Sequence, residues 1–193
     1  MLAAMEELAT VLYSEDAIRN RVRELGEEIT RDYEGRNPVL ISVLQGAAWF
    51  LADLMREIRC SVRMDFMSIS SYAEEEESAG RVRIIKDLEA DIGGDHVLMV
   101  EDIVDTGLTL SYLLSTLRSR APASLEVCTL LDKSVRRITP LDIRYRGFDC
   151  PDSFVVGYGL DYEHRYRNLP FIVEVDPGRL AEDPLALVPL LEG

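Results

Sequence analysis

The chain has 193 residues, 47% of them hydrophobic, which is enough to close one substantial core. Its formal net charge of −14 at pH 7 opposes binding to phosphate backbones, because that affinity comes from Lys and Arg, so we expect no nucleic-acid partner. Three cysteines without paired spacing, no secretory signal and no apolar run of roughly 18 residues lead us to expect a cytoplasmic protein, with no disulfide framework and no membrane partner.

Segments typical of strands and of helices alternate along the chain. Ser14 is placed to cap a first helix, and Ile18, Val22, Leu25 and Ile29 recur on one face of it. Further along, we predict strands at residues 39–44, 62–69, 82–86, 97–100 and 124–131, and helices at residues 49–58 and 108–117. Because the strand segments VLISVL and VLMV are almost wholly apolar, this alternation predicts an α/β fold whose central sheet is mostly parallel and covered by helices on both faces.

The most informative segment is VLMVEDIVDTGLTL, residues 97–110. An apolar strand leads into the adjacent carboxylates Glu101 and Asp102, which point to opposite sides of an extended chain, so that one can face a ligand and the other a metal or the supporting residues. A tight turn then opens a helix, and ligands of open α/β sheets bind at such places. Hydroxyls and successive N–H groups of this turn could bind a phosphate, and they belong to Asp105, Thr106, Gly107 and Thr109.

A simpler interpretation is that these acids cap a helix, since Asp and Thr are common at helix starts and Asp-Thr-Gly is a common turn. The full string is more specific than that tripeptide. EDIVDTGLTL resembles the phosphoribosyl-diphosphate (PRPP) signature of the type I phosphoribosyltransferases, in particular of their hypoxanthine-guanine branch. The resemblance extends over roughly residues 10 to 175, and several separate motifs follow in the same order.

The fold implied by this resemblance is that of one phosphoribosyltransferase domain, residues 1–193. Its core would span about residues 35–142, and a small hood would form from the N-terminal segment and about residues 143–175. The tail after Asp176 receives no role.

Leu44-Gln45-Gly46 is similar to the family's short first loop, which contacts diphosphate and often contains a cis peptide bond. Gln45 stands where Lys or Arg is frequent, so diphosphate binding is expected to depend more on backbone N–H groups and magnesium. Ser71-Tyr72 opens the polar segment AEEEESAGR, which is similar to the flexible lid that closes over the sugar. The acidic run within it, residues 74–77, could equally be an ordinary solvated segment.

The resemblance also assigns the purine end of the site. Lys133 matches the lysine that hydrogen-bonds the purine 6-oxo group, Phe154 the aromatic ring that stacks on the base, and Val155 the neighbour whose backbone reads the base edge. Asp161 matches a magnesium ligand beside the purine, and Arg167 matches a diphosphate-binding arginine.

Each of these residues has an ordinary structural interpretation as well. Phe154 could belong to the core, Lys133 could be a surface lysine, and Arg167 could be a solvated loop residue.

The activity implied is transfer of ribose 5-phosphate from PRPP to a purine, with release of diphosphate and with Mg²⁺ as cofactor. Asp105 would act as general base near N7, and Lys133 would favour 6-oxopurines, giving IMP from hypoxanthine and GMP from guanine. The residues implied to bind the ribose and its phosphate are Glu101, Asp102, Asp105, Thr106, Gly107, Leu108 and Thr109. Those implied to surround the metal are Asp161, Glu101 and Asp102.

Two alternatives stay open at this point. One is a relative that prefers xanthine or guanine, and the other is a non-catalytic regulator of the same fold that senses PRPP or nucleotides. Retention of Asp105, Lys133, Asp161 and Arg167 together favours the enzyme. The family's habit of symmetric assembly leads us to expect a homodimer or homotetramer.

Overall fold

The computed structural model describes residues 9–71 and 82–191. The strands are β1 Ala9–Tyr13, β2 Val39–Leu44, β3 Arg63–Ser71, β4 Val82–Lys86, β5 His96–Val104, β6 Ser124–Asp132, β7 Tyr145–Asp149, β8 Val155–Val156 and β9 Ile172–Val175. The α-helices are α1 Glu15–Asp32, α2 Ala48–Glu57, α3 Leu108–Arg118 and α4 Pro177–Glu182. Short 3-10 helices occur at Ser134–Arg136 and Val188–Leu191.

A six-stranded sheet in the order β4-β3-β2-β5-β6-β7 forms the centre of the molecule. Its strands are parallel except β4, which returns antiparallel to β3. The predicted mostly parallel sheet is therefore confirmed.

Helices cover both faces of this sheet, as predicted. Ser14 caps α1 by accepting a hydrogen bond from the Ala17 N–H at 3.2 Å. Leu40 packs with α1 and α2 on one face, whereas its neighbour Ile41 packs with α3 on the other. Successive side chains of a strand point to opposite faces, so a strand covered on both sides is apolar throughout. No helix among residues 9–71 and 82–191 is long and apolar enough to cross a lipid bilayer.

Strand β5 is longer than predicted. Its pairing with β6 runs from His96 to Val104, so Glu101 and Asp102 lie within the strand rather than after it. Backbone hydrogen bonding to β6 sets this boundary, whereas the prediction ended the strand where its apolar residues ended.

A second, antiparallel sheet in the order β1-β9-β8 lies over one end of the first sheet, and we call it the hood. It combines the N-terminal strand with strands late in the chain. The tail completes it, because Leu180, Leu187 and Leu190 pack against Val156 and Val173.

Strand β7 belongs to the central sheet, so the core extends beyond residue 142, its predicted end. The segment YRGFD is short and polar, so it lacks the apolar pattern by which a central strand is recognised in a sequence. Gly147 lets β7 approach β6 closely, since a Cβ at that position would lie 2.4 Å from the Leu130 carbonyl oxygen.

Two tyrosines connect the hood to the core. Tyr13 of β1 stacks on Phe148 of β7, with ring centroids 4.2 Å apart, and donates a hydrogen bond to the Asp149 carbonyl. The Tyr158 hydroxyl donates to Asp53 of α2 at 2.7 Å. Burial raises the pKa of Tyr158 above its ordinary value, and the hydrogen bond with Asp53 raises it further. Both contacts resist separation of hood and core.

We expect Tyr158→Phe to lower the free energy of unfolding by about 1 kcal/mol, because the hydrogen bond from the buried Tyr158 hydroxyl to the partly exposed Asp53 is lost. Urea unfolding measures this, with Tyr112→Phe at an exposed tyrosine of α3 as the matched control. Equal stability of the two variants would show that the hydroxyl does not hold the hood.

Candidate active site

A cleft of about 960 Å³ opens between the carboxyl ends of the central strands and the hood. We call it the main cleft. The predicted site residues that line it are Gln45, Gly46, Glu101, Asp102, Asp105, Lys133, Phe154, Val155, Asp161 and Arg167. An adjoining side cavity of about 180 Å³ shares Glu101 and Asp105 with it and adds Thr106, Gly107 and Thr109.

Two parts of the predicted site are not seen in these cavities. The Leu108 side chain is 50% exposed and lines neither of them. Ser71 ends β3, and the rest of the predicted lid, including Tyr72, lies outside the described residues.

The start of α3 is open to an anion. Gly107, with φ of 83°, occupies the N-cap position and has no side chain to cap the helix. The Leu108 N–H donates only a long hydrogen bond of 3.5 Å to Thr106 Oγ1. The positive φ makes glycine the favoured residue in this turn, and a Cβ there would also require Leu141 and Arg137 to shift, since it would lie 2.8 Å from Leu141 Cδ1 and 2.9 Å from Arg137 Cδ. Free N–H groups at the positive helix end suit a phosphate, and the interpretation of the acids as mere helix caps is wrong.

The paired acids face different parts of the site. Glu101 lines both cavities, whereas Asp102 lies beneath the first loop, where a Cβ on Gly46 would be 1.8 Å from Asp102 Oδ2. Burial raises the pKa of Glu101 well above its ordinary value, and the nearby Asp102 raises it further. Burial also raises the pKa of Asp102 to about 6, against the lowering effect of the Ile103 N–H. A bound cation or hydroxyl donors would relieve the cost of charging these carboxylates.

The first loop connects β2 to α2. Its Leu44–Gln45 peptide bond is cis, as the resemblance implies. Gln45 lines the main cleft, and its carbonyl accepts a hydrogen bond from the Ala48 N–H at 3.1 Å. The hood packs directly on this loop, because a Cβ on Gly159 would lie 2.2 Å from the Gly46 carbonyl oxygen.

The hood contributes an arginine and a carboxylate. Arg167 Nη2 lies 2.7 Å from Asp161 Oδ1, and Arg167 Nη1 donates to the Gly159 carbonyl. Asp161 Oδ2 accepts from the His164 N–H at 2.7 Å. The Arg167 side chain is 16% exposed, so its interpretation as a solvated loop residue is wrong. Its buried Nε has no hydrogen-bond partner within the described part of the chain, which leaves a donor for a ligand.

The far end of the main cleft combines an ammonium group with an exposed ring. Lys133 follows β6, is only 6% exposed and donates to the Ser153 carbonyl at 2.6 Å, so it is not a surface lysine. Phe154 is 37% exposed and meets Tyr162 edge-on, with centroids 6.1 Å apart, so it is not a core residue. Val155 is buried beside it. A flat, partly apolar molecule with an acceptor oxygen fits this end.

Sequence reasoning missed the arginines that hold Asp105. Arg136 Nη1 lies 3.2 Å from Asp105 Oδ2, and Arg137 Nε donates to the Asp105 carbonyl at 3.2 Å. Arg137 also pairs with the buried Asp132, whose other oxygen is 2.9 Å from Arg146 Nε. Two adjacent arginines in so acidic a chain were the sequence feature that could have pointed to these contacts with Asp105. Asp105 Oδ1 is buried and lacks a partner among the described residues, so it can receive a proton from a ligand.

The carboxylates suit a magnesium ion that is shared with a substrate. Among residues 9–71 and 82–191, no group of three or more His, Cys, Asp or Glu side chains could hold a metal by itself. Glu101, Asp102 and Asp161 nevertheless offer oxygen donors at one cleft. Mg²⁺ commonly binds through one or two carboxylates, substrate phosphates and waters, so this donor set fits it.

Comparison with known proteins assigns this architecture. Residues 10–163 match the phosphoribosyl transferase domain family. The bifunctional protein TilS/HprT of Listeria innocua is 48% identical over 171 residues, 89% of this chain, but the chain spans only 26% of that protein. Hypoxanthine-guanine phosphoribosyltransferase of Bacillus subtilis is 47% identical over 171 residues, which are 89% of this chain and 95% of that protein.

A solved structure agrees with these sequences. The crystal structure of a hypoxanthine-guanine phosphoribosyltransferase from Bacillus anthracis superimposes with a TM-score of 0.83 at 46% identity, covering 88% of this chain and 99% of that chain. The matched region contains both the open turn at Gly107 and the carboxylates beside it. The chain therefore belongs to the phosphoribosyltransferase family, within its hypoxanthine-guanine branch.

Proposed function

We propose that this protein is a purine-salvage enzyme that converts hypoxanthine and guanine, with PRPP, to IMP and GMP and releases diphosphate. The main support for this function is the position of Asp105. Asp105, with a free carboxylate oxygen, lies between the open helix start at Gly107 and the base end formed by Lys133 and Phe154. A sugar phosphate and a purine can therefore meet beside one proton acceptor.

The sugar phosphate is oriented from two sides. Its 5′-phosphate binds the N–H groups that follow Gly107, in the side cavity. Glu101 and Asp102 face the ribose hydroxyls, which donate hydrogen bonds to carboxylates that burial makes costly to charge.

Separation of charge is the main demand of the reaction. Positive charge develops on the anomeric carbon as negative diphosphate leaves. The carboxylates of Glu101 and Asp102 stabilise the sugar, and Arg167 with the backbone of the first loop stabilises diphosphate. When bound by Asp161 and substrate oxygens, with Glu101 and Asp102 ordering its surroundings, Mg²⁺ supplies further neutralisation of the leaving group.

Two side chains activate and select the base. Asp105 Oδ2 is held by Arg136, so Oδ1 accepts the proton from N7 as N9 attacks the sugar. Lys133 donates to a 6-oxo group. Adenine would present a 6-amino donor there instead, and an unpaired buried donor costs about 1 to 3 kcal/mol.

A nucleotide-sensing regulator needs no free carboxylate oxygen beside the base, so Asp105 favours an enzyme. We further propose that the chain forms one domain and works in the cytoplasm as a homodimer or homotetramer. The family's habit of symmetric assembly supports the last point.

Release of diphosphate tests the function directly. With PRPP and Mg²⁺, we expect release with hypoxanthine and guanine and little with adenine or uracil; xanthine tests the alternative preference. Asp105→Asn should lower turnover by roughly 10²- to 10⁴-fold with little change in PRPP affinity, because the phosphate binds mostly to backbone groups. Asp142→Asn, at an exposed loop position, is the control. Full activity of Asp105→Asn would remove this residue from catalysis.

Substitution at the base end should weaken purine binding. Lys133→Ala should weaken binding of hypoxanthine and guanine by about 1 to 3 kcal/mol, and Phe154→Ala should weaken all purines through lost stacking. Calorimetry with each base measures both effects, and Lys86→Ala is the control at a partly exposed lysine. Unaltered hypoxanthine affinity in both variants would place the base elsewhere.

Restoring a cation in the first loop should strengthen diphosphate binding. We expect Gln45→Lys to tighten diphosphate and PRPP, and more so at low salt, since screening weakens exposed charges. Gln45→Met adds no charge and serves as control. The test measures the affinity of each variant for diphosphate and PRPP at two ionic strengths. Identical affinities for both variants would mean that residue 45 does not face diphosphate.

A further inference from the structure

Glu174 is a cleft residue that neither the signature nor the proposed chemistry uses. In the hood, Val155 of β8 pairs with Glu174 of β9, and Val156 pairs with Val173. Val156 and Val173 are buried against the tail. Directly opposite residues share a face of an antiparallel pair, and faces alternate along each strand, so Val155 and Glu174 turn the other way. Both line the main cleft.

Two other acids that line the main cleft form ion pairs with arginines of the protein. Asp152 lies 3.4 Å from Arg136 Nε, and Asp161 pairs with Arg167 at 2.7 Å. Within residues 9–71 and 82–191, no basic side chain forms an ion pair with Glu174. Its carboxylate is therefore available to a ligand in the cleft.

The surroundings of Cys150 show that Glu174 belongs to the base end. Burial raises the pKa of the Cys150 thiol above its ordinary value, Lys133 lowers it, and Glu174 and Asp105 raise it again. These three charged groups thus lie close enough to one thiol to influence it, and all three line the main cleft.

Under the proposed function above, the position of the bound purine determines which purine atoms lie near Glu174. With N7 at Asp105 and the 6-oxo group at Lys133, C2 lies across the six-membered ring from N7. C2 then faces the hood side of the cleft, which Val155 and its strand partner Glu174 line together with Asp161. At C2, guanine carries an amino group, hypoxanthine a hydrogen atom and xanthine an oxo group.

We propose that Glu174 is a specificity-determining residue, whose carboxylate accepts a hydrogen bond from the 2-amino group of guanine and repels the 2-oxo group of xanthine. Hydrogen bonds to ionised acceptors are stronger than neutral ones, and an unmatched polar pair is strongly rejected in a partly dry site. Guanine is therefore favoured over hypoxanthine, and xanthine is the poorest substrate of the three.

The test compares kcat/KM for guanine, hypoxanthine and xanthine at saturating PRPP and Mg²⁺. In Glu174→Val, guanine should lose about tenfold more than hypoxanthine, because only guanine loses a hydrogen bond. In Glu174→Gln, discrimination against xanthine should fall about tenfold, since an amide can donate to the 2-oxo group. Glu182→Gln, on the exposed surface of α4, should leave all ratios unchanged. Dissociation constants of GMP, IMP and XMP should follow the same order without any turnover.

The possible outcomes separate the two proposals. Unchanged guanine-to-hypoxanthine and xanthine-to-hypoxanthine ratios in both Glu174 variants, with diphosphate still released, would overturn the role of Glu174 and leave the proposed function intact. No diphosphate release by the wild-type protein with any of the three bases would overturn both. Thermal unfolding of each variant verifies folding, and Glu174→Gln, nearly isosteric, keeps the test decisive if Glu174→Val is unstable.

Discussion

Parallel pairing of β5 with β6 is the constraint on which the rest of the site depends. It continues to Val104 and Asp132, so the next residues, Asp105 and Lys133, emerge side by side from neighbouring strands. Arg137 then joins the two strand ends, because it contacts both the buried Asp132 carboxylate and the Asp105 carbonyl. A buried carboxylate stripped of its partner is costly, which keeps this connection in one arrangement. The turn at Gly107 and the side chain of Lys133, to which we assign the phosphate and the base, are thereby held as one unit.

Local fields matter more than net charge in this protein. The chain has a formal net charge of −14 at pH 7, yet the substrate proposed for it is strongly anionic. In the proposed function, substrate binding depends on a few oriented donors, namely the open N–H groups after Gly107 and the guanidinium of Arg167, which act over short distances. In the proposed reaction, Glu101 and Asp102 add negative charge where positive charge develops. Their raised pKa values record the cost of that placement, which a cation or sugar hydroxyls offset.

The hood uses its two faces for different purposes. One face packs on the tail through Val156 and Val173, which stabilises a sheet too small to form a core alone. The other face presents Val155 and Glu174 to the main cleft. Contacts from Tyr158 to α2 place this second face over the central sheet. The proposed recognition of the base therefore depends on how the hood is attached as well as on the residues that it carries.

The sequence by itself determined the alternating sheet and helices, the open turn at Gly107 and the motif residues around it, because these follow from local apolar patterns and from short strings with one chemical use. Only the tertiary structure decided that Lys133 is buried and Phe154 exposed, that β7 joins the central sheet, and that the tail completes the hood. It also brought Glu174 to a cleft built from residues far away in the chain. Burial and long-range pairing arise from contacts between distant segments, and no pattern confined to one segment records them.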